Sequence, residues 1–233
     1  MARYVTTDIH GCLLSLRHLI EEKLKLRPQD ELYVLGDYVN KGPDSRGVLD
    51  YLMQLPERGY RVVCLRGNHD QDLLSAAQGE ITLTWGSMND YKITLGSFGV
   101  ERPEDIPERY LRWINNLPYQ FDIPGFMLVH AGYDFRQPPE QMRQQWHTML
   151  NIKEFVFDAS RTGGRRLVHG HVPTPTTTVE AQVKAQKGAI GLDTGCVYRH
   201  NPELRHLAAL DLDANTLYLQ PNIEPDYPIG VRR

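Results

Sequence analysis

Long apolar runs are missing from this 233-residue chain, and no stretch approaches the ~20 apolar residues of a membrane-spanning helix. Cysteine is scarce: Cys12, Cys64 and Cys196 form an odd set with no CxxC spacing. Together with the lack of a signal-like apolar segment near Met1, this points to a reduced, cytoplasmic protein whose thiols are small core residues. An excess of basic charge is absent too. The net charge is −3 with 24% charged residues, which disfavours a broad nucleic-acid or membrane surface. The pairs Arg165-Arg166 and Arg232-Arg233 read as solvated charge. Repeats and low-complexity linkers are also absent, so residues 1–233 read as one domain.

What the chain does contain is five short polar motifs: Asp8-Ile9-His10-Gly11, Gly36-Asp37, Gly67-Asn68-His69-Asp70, His130-Ala131-Gly132 and Gly170-His171. Each follows a run of apolar or β-branched residues, so Asp, His and Asn emerge from the ends of buried strands. The spacing predicts strands at Tyr4–Thr7, Glu31–Leu35 and Arg61–Leu65, alternating with helices at Leu13–Leu24 and Arg46–Leu55. Pro43 and Asp44 supply the start signal of the second helix. Two such β-α-β units imply parallel strands with right-handed crossovers.

Beyond Asn68 a helix is expected to run to Ala77, where Gly79 ends it. Ile81–Gly99 reads as short helices or a loop near the site mouth, and Pro103–Asn116 as a helix burying Tyr110, Leu111 and Ile114. Strands at Tyr119–Ile123 and Phe126–His130 flank a Pro124-Gly125 turn, hence a hairpin. A helix over Pro139–Leu150 would place Met142, Trp146 and Met149 in the core. Pro173–Thr178 reads as a surface loop. Strands at Leu167–His171, Ala189–Asp193, His206–Leu212 and Thr216–Gln220 complete a sheet-rich α/β sandwich, with Asp213-Ala214-Asn215 as the last turn.

A mixed carboxylate and imidazole set suits Mn, Fe or Zn, whereas Mg and Ca prefer all-oxygen shells. Asp8 and His10, two residues apart at a strand end, are expected to share a face, and Asp37 from the neighbouring strand to reach the same ion. Asp37 has a second oxygen for another ion, which Asn68, His130 and His171 would complete. A bridging Asp describes a two-metal site for in-line attack of water on phosphorus. His69 is placed to protonate the leaving oxygen, and Arg66 and Lys41 to hold the other phosphate oxygens.

The set Asp8-x-His10-Gly11, Gly36-Asp37-x-x-x-Lys41-Gly42, Gly67-Asn68-His69, His130-Ala131-Gly132 and Gly170-His171 resembles the calcineurin-like metallophosphoesterases. Within them it is similar to the phosphoprotein phosphatase branch in its small bacterial and phage form, from Tyr4 to about Gly195. The resemblance implies an α/β fold: a β-sandwich flanked by helices in four αββα layers, with the site at strand C-terminal ends. It also implies two divalent ions, foremost Mn2+ with Fe, Zn or Ni as alternatives. Asp8, His10 and Asp37 would hold one, and Asp37, Asn68, His130 and His171 the other. His69 would be the acid; Arg66, Lys41 and Asn68 would contact phosphate. His169, Asp193 and Tyr198 are weaker site residues on this reading.

Three departures stand out. The family's Gly-Asp-x-x-Asp-Arg-Gly reads here Gly36-Asp37-Tyr38-Val39-Asn40-Lys41-Gly42. Asn40 thus replaces the Asp that pairs with the catalytic histidine, and Lys41 replaces a bidentate arginine. In Met149–Phe155, Asn151 and Lys153 stand where the family stretch has Trp and Arg, which makes Lys153 a further phosphate contact. Without the anionic partner, His69 is expected to favour aryl over alkyl phosphates.

Two substrate classes follow. The first is a phosphorylated protein, peptide or small phosphoester, since Trp85–Gly99, with Asn89, Thr94, Leu95 and Ser97, resembles the matching segment of bacterial protein phosphatases. The second is a dinucleoside tetraphosphate, cleaved symmetrically. It is favoured by Asp70, by Leu192-Asp193-Thr194-Gly195-Cys196, by Leu217-Tyr218-Leu219-Gln220-Pro221, and by a branch that also lacks the Asp replaced by Asn40. The sequence puts the first class ahead because the chain is short.

Overall fold

Nine strands carry the site in the computed structural model, which describes residues 1–80 and 88–227. They are β1 (Arg3–Thr6), β2 (Glu31–Val34), β3 (Arg61–Cys64), β4 (Gln120–Ile123), β5 (Phe126–Val129), β6 (Arg166–His169), β7 (Ala189–Gly191), β8 (His206–Asp211) and β9 (Thr216–Pro221). The helices are α1 (Leu13–His18), α2 (Ser45–Glu57), α3 (Asn68–Ala77), α4 (Met88–Phe98), α5 (Glu108–Asn115), α6 (Pro139–Met142), α7 (Trp146–Asn151) and α8 (Thr176–Lys184). One sheet has the order β3-β2-β1-β8-β9 and the other β4-β5-β6-β7. β1, β2 and β3 are parallel to one another, as are β5, β6 and β7; β8, β9 and β4 pair antiparallel to their neighbours.

Strand alternation sorts the core into layers. Tyr4, Leu32, Val34 and Cys64 face α1, α2, α3 and α5, against Leu16, Leu49, Leu52, Leu73 and Ile114. Their neighbours Val5, Tyr33, Leu35 and Leu65 face the other sheet and meet Phe126, Leu128, Val168 and Ile190. Met127, Val129 and Leu167 point outward again, to Phe135, Met142 and Met149. The result is the expected four-layer αββα sandwich. Cys12, Cys64 and Cys196 are free and buried. Among the described residues no helix is long and apolar enough to cross a membrane.

The expected strands and the hairpin over Pro124-Gly125 are present to within a residue or two. Asp44 caps α2 by accepting from the Gly47 N–H at 2.7 Å. Other expectations need correction. The helix from Leu13 widens into a π-helical stretch at Leu19–Lys23. Pro103–Asn116 splits into a 3-10 turn at Pro103–Asp105 and α5, and Leu111 is only half-buried. Pro139–Leu150 breaks between Met142 and Trp146, which turns Trp146 out of the core. The loop read at Pro173–Thr178 gives way at Thr176 to α8, which buries Val179 and Val183. Residues 81–87, with Trp85, lie outside the described residues; from Met88 the segment is helix α4, packed on α2.

Candidate metal centre

The five motifs leave the C-terminal ends of β1, β2, β3, β5 and β6 and converge on one point. Asp8 and His10 do not get there by strand alternation, because β1 ends at Thr6. Both lie in the left-handed region, at φ 51° and 47°, as do Asp37 (57°), Asn40 (71°), Lys41 (66°) and His171 (74°). Left-handed backbone at six non-glycine positions is costly, and its concentration here marks a site that the surrounding fold holds in place.

Backbone carbonyls set the histidine tautomers. His10 Nδ1 lies 2.9 Å from the Val39 carbonyl, and His130 Nδ1 lies 2.9 Å from that of Leu35. A carbonyl only accepts, so both rings carry their proton on Nδ1 and aim the Nε2 lone pair inward. His130 Nε2 then faces other acceptors: Asn68 Oδ1 at 3.0 Å and Asp37 Oδ1 at 3.5 Å. His10 Nε2 lies 3.5 Å from Asp37 Oδ2, 4.0 Å from Asp8 Oδ1 and 2.8 Å from Lys41 Nζ. At His171 the Nδ1–H donates to Asn68 Oδ1 at 3.0 Å, which leaves the ring's lone pair on Nε2. The His130 lone pair, pointed at the Asn68 and Asp37 oxygens, calls for a cation between them, whereas His10 Nε2 accepts from the Lys41 ammonium.

The charges tell the same story. Burial drives the imidazoles toward the neutral, ligating form, with His10 and His171 each pushed down to about 3 and His130 lowered. His69 falls well below its ordinary value through burial and the nearby Lys41 ammonium. Burial, with Asp8 and Asp70 nearby, raises the Asp37 carboxyl well above its usual range. Burial acts the same way on Asp8, but His130, His10 and hydrogen bonds from the Thr7 hydroxyl and the His171 N–H outweigh it and leave its pKa lowered.

Two tight groups of ligating atoms share Asp37: His10, Asp37 and His69 on one side, and Asp37, His130 and His171 on the other. Asp8 lies outside both groups, yet its Oδ1 is buried without a hydrogen-bond partner, as is His171 Nε2. Orphaned buried acceptors beside a raised carboxyl are what a divalent cation would satisfy. The donor set therefore fits a pair of divalent ions. The glycines of the motifs let the walls close. A Cβ on Gly67 would lie 2.2 Å from Asp37 Oδ1, and one on Gly170 would lie 2.1 Å from Asp8 Oδ2.

Two supports escaped the sequence reading. Asp70, third residue of α3, accepts from the N–H groups of Asp37, Tyr38 and Gly67 at 2.8, 3.0 and 2.9 Å. It ties the second motif to the third. Its only local signal is its place three residues after Gly67, half of a capping box. Thr94 on α4 donates to Asn40 Oδ1 at 2.8 Å, and Asn40 Nδ2 lies 3.0 Å from His69 Nδ1.

The remaining expected residues divide. Lys41 reaches the cluster, with its ammonium 5.9 Å from the Tyr198 ring. The Arg66 guanidinium instead bonds Gln71 Oε1 at 2.8 Å, the Tyr119 hydroxyl at 3.0 Å and the Asn115 carbonyl, and stacks over the Tyr119 ring. Lys153 and Asn151 are exposed. His169 contacts the Gly170 carbonyl and packs on Phe155, and burial pushes it down to about 4. Asp193 accepts from the Gly195 N–H at 2.8 Å, closing a turn, with its carboxyl raised well above its usual range by burial and by Asp8.

Known proteins match this arrangement in sequence and in shape. Over 135 residues the chain is 36% identical to the symmetrical bis(5'-nucleosyl)-tetraphosphatase of Pseudomonas putida (strain W619), a match covering 57% of this chain and 42% of that protein. The chain thus spans less than half the length of that relative. A crystal structure assigned provisionally as a diadenosine tetraphosphatase superposes with a TM-score of 0.69 at 25% identity, covering 96% of this chain and 95% of that one. A Saccharomyces cerevisiae protein serine/threonine phosphatase shares the fold at a TM-score of 0.65 and 13% identity, covering 98% and 81%. The model of the calcineurin-like phosphoesterase family matches residues 1–215, and the chain belongs to that family.

Proposed function

We propose that the protein hydrolyses the phosphoanhydride chain of a dinucleoside tetraphosphate symmetrically, with water and two divalent ions, to give two nucleoside diphosphates. The observation that carries this reading is the partner of His69. Asn40 Oδ1 accepts from the Thr94 hydroxyl, and Asn40 Nδ2 donates to His69 Nδ1. The ring then keeps its proton on Nε2 and stays neutral, with no carboxylate to favour imidazolium. Such a ring is a hydrogen-bond donor and a weak acid. A nucleoside diphosphate leaves without needing a strong acid, whereas an alkoxide does not.

The names of the similar bacterial proteins support the same class of substrate. The phosphoprotein reading, which led on sequence alone, now rests on likeness of fold at 13% identity.

In this reading Asp8, His10 and Asp37 would hold one ion, and Asp37, Asn68, His130 and His171 the other, with Mn2+ the foremost choice. When bound, the ions supply Lewis-acid charge for the phosphoryl oxygens and for water. The chain's own groups do the rest. Val39 and Leu35 keep the His10 and His130 lone pairs aimed inward, and Asp70 holds the two loops at fixed separation. Lys41, with its ammonium 2.8 Å from His10 Nε2, offers its charge to a phosphate oxygen, and Lys153 extends this at the rim. His69 Nε2–H donates to the leaving oxygen. Arg66, bonded to Gln71 and Tyr119, acts as a brace behind the site.

Turnover of diadenosine tetraphosphate, an aryl phosphate, a phosphotyrosine peptide and a phosphoserine peptide, each with Mn2+, Ni2+, Zn2+ or Mg2+, tests the reading. The dinucleotide is expected to have the highest kcat/KM. Dominant cleavage of either peptide overturns it.

A further inference from the structure

The second motif wraps around the first. His10 and Gly11 donate their N–H groups to the Asp37 and Tyr38 carbonyls, each at 2.8 Å, and the Asp44 N–H donates to the Gly11 carbonyl at 3.0 Å. Gly42 closes the wrap, since a Cβ there would lie 1.9 Å from the His10 carbonyl oxygen. Lys41, just before it, takes the left-handed conformation at φ 66°, and its stem runs back to the His10 ring. Its ammonium donates to His10 Nε2 at 2.8 Å. That is the lone pair which Val39, bonded to Nδ1, keeps aimed into the cluster.

One lone pair serves one cation. A divalent ion on an imidazole sits about 2 Å out along the same lone pair, so the ammonium has to leave when the ion arrives. A lysine is a compact charge on a flexible stem, which fits a single lone pair, whereas the arginine of the family pattern presents a planar fork. Burial pushes the Asp37 and Asp193 carboxyls up, and the Lys41 ammonium works against it, as an ion would. A second seat lies near. The Tyr198 ring, half-buried on the loop after Gly195, has its centroid 5.9 Å from the ammonium. An aromatic face holds a cation and leaves its N–H groups free for a phosphate oxygen.

We infer that Lys41 and a divalent ion compete for His10 Nε2, and that ion binding releases the lysine to the Tyr198 rim, where its charge meets a substrate phosphate. The inference rests on the two-ion reading of the same centre and adds an order to it: the ion first, the phosphate contact second. It makes Lys41 a stand-in for the ion before loading and a phosphate contact after it.

The test follows acetylation of Lys41 by acetic anhydride, read by peptide mass spectrometry, in EDTA and in saturating Mn2+. Exposed Lys184 and Lys187 serve as references. Relative to them, Lys41 is expected to label about tenfold faster or more with Mn2+, the worth of one charged hydrogen bond. Ordinary tightening of a loop around an ion would slow it instead. Lys41→Met keeps the stem without the charge, and by calorimetry it should bind one of the two ions more tightly by about the same factor. Equal or slower labelling with Mn2+ overturns the competition, as does unchanged or weaker ion binding by a folded Lys41→Met; either leaves the hydrolysis reading standing. The labelling needs no variant, so it decides the matter even if Lys41→Met fails to fold. A wild-type protein that binds no Mn2+ overturns the two-ion reading, and the competition with it.

Discussion

Asn40 Nδ2 lies 3.0 Å from Nδ1 of His69, and the other end of the amide, Oδ1, accepts from the Thr94 hydroxyl at 2.8 Å. A carboxylate at position 40 would instead draw a proton onto Nδ1 and make His69 a stronger acid. Asn40→Asp is therefore expected to raise turnover of an alkyl phosphate relative to diadenosine tetraphosphate by about tenfold or more, within the range of general acid catalysis. Steady-state kinetics on both substrates measure it. An unmoved ratio would mean that leaving-group protonation does not depend on this pair.

Asp37 is common to both groups of ligating atoms, so its loss should damage both ion sites at once. Asp37→Asn is expected to bind less than one equivalent of Mn2+ by calorimetry and to lose at least about a hundredfold in activity. A variant that retained two ions and full turnover would remove the two-metal scheme.

Metal removal should also be visible in stability, because the orphaned Asp8 Oδ1 and His171 Nε2 gain a partner only when a cation is present. Chelated protein is expected to melt about 5–10 °C below protein in Mn2+ at a hundred times its Kd. Differential scanning calorimetry gives the value, and equal melting temperatures would count against the site.

Gly170 has no room for a side chain, since its Cβ would meet Asp8 Oδ2 at 2.1 Å and Thr7 Oγ1 at 2.3 Å. Gly170→Ala should destabilise the protein by about 1–3 kcal/mol and displace Asp8, weakening metal affinity as well. Urea unfolding and metal titration separate the two effects.

Away from the site, Asp30 accepts from the Arg27 guanidinium and from the Ala2 and Arg27 N–H groups, and these bonds hold its carboxyl down to about 2. A depressed acid contributes stability above its unfolded pKa and loses it as pH falls through the folded one. Asp30→Asn is therefore expected to lower Tm at pH 7, with the gap closing between pH 3.8 and about 2. A gap independent of pH would point to lost packing instead.

Much of the fold was legible because strand and helix periods are local. The apolar runs that precede Asp8, Asp37, Asn68, His130 and His171 mark strands, and a polar residue at a strand end has little else to do than cap, turn or bind. What the sequence hid depends on distance or on phase. Asp70 serves N–H groups of Asp37 and Tyr38, more than thirty residues away in the chain. Trp146 lies at helical spacing from Met142 and Met149, but the break before α7 shifts the phase and turns its ring out of the core, onto Tyr119. Thr176-Thr177-Thr178 hides the start of α8 behind β-branched residues of modest helix propensity. Arg66 sits beside the ligands in sequence, yet its reach carries the guanidinium to Tyr119 and Asn115.

The most direct test of the central claim is to identify the products formed from diadenosine tetraphosphate by the wild-type protein with Mn2+. The account predicts that ADP is the sole nucleotide product, two molecules for each water consumed. Formation of ATP and AMP in equal amounts, or no cleavage by a protein that hydrolyses aryl phosphate, would contradict it.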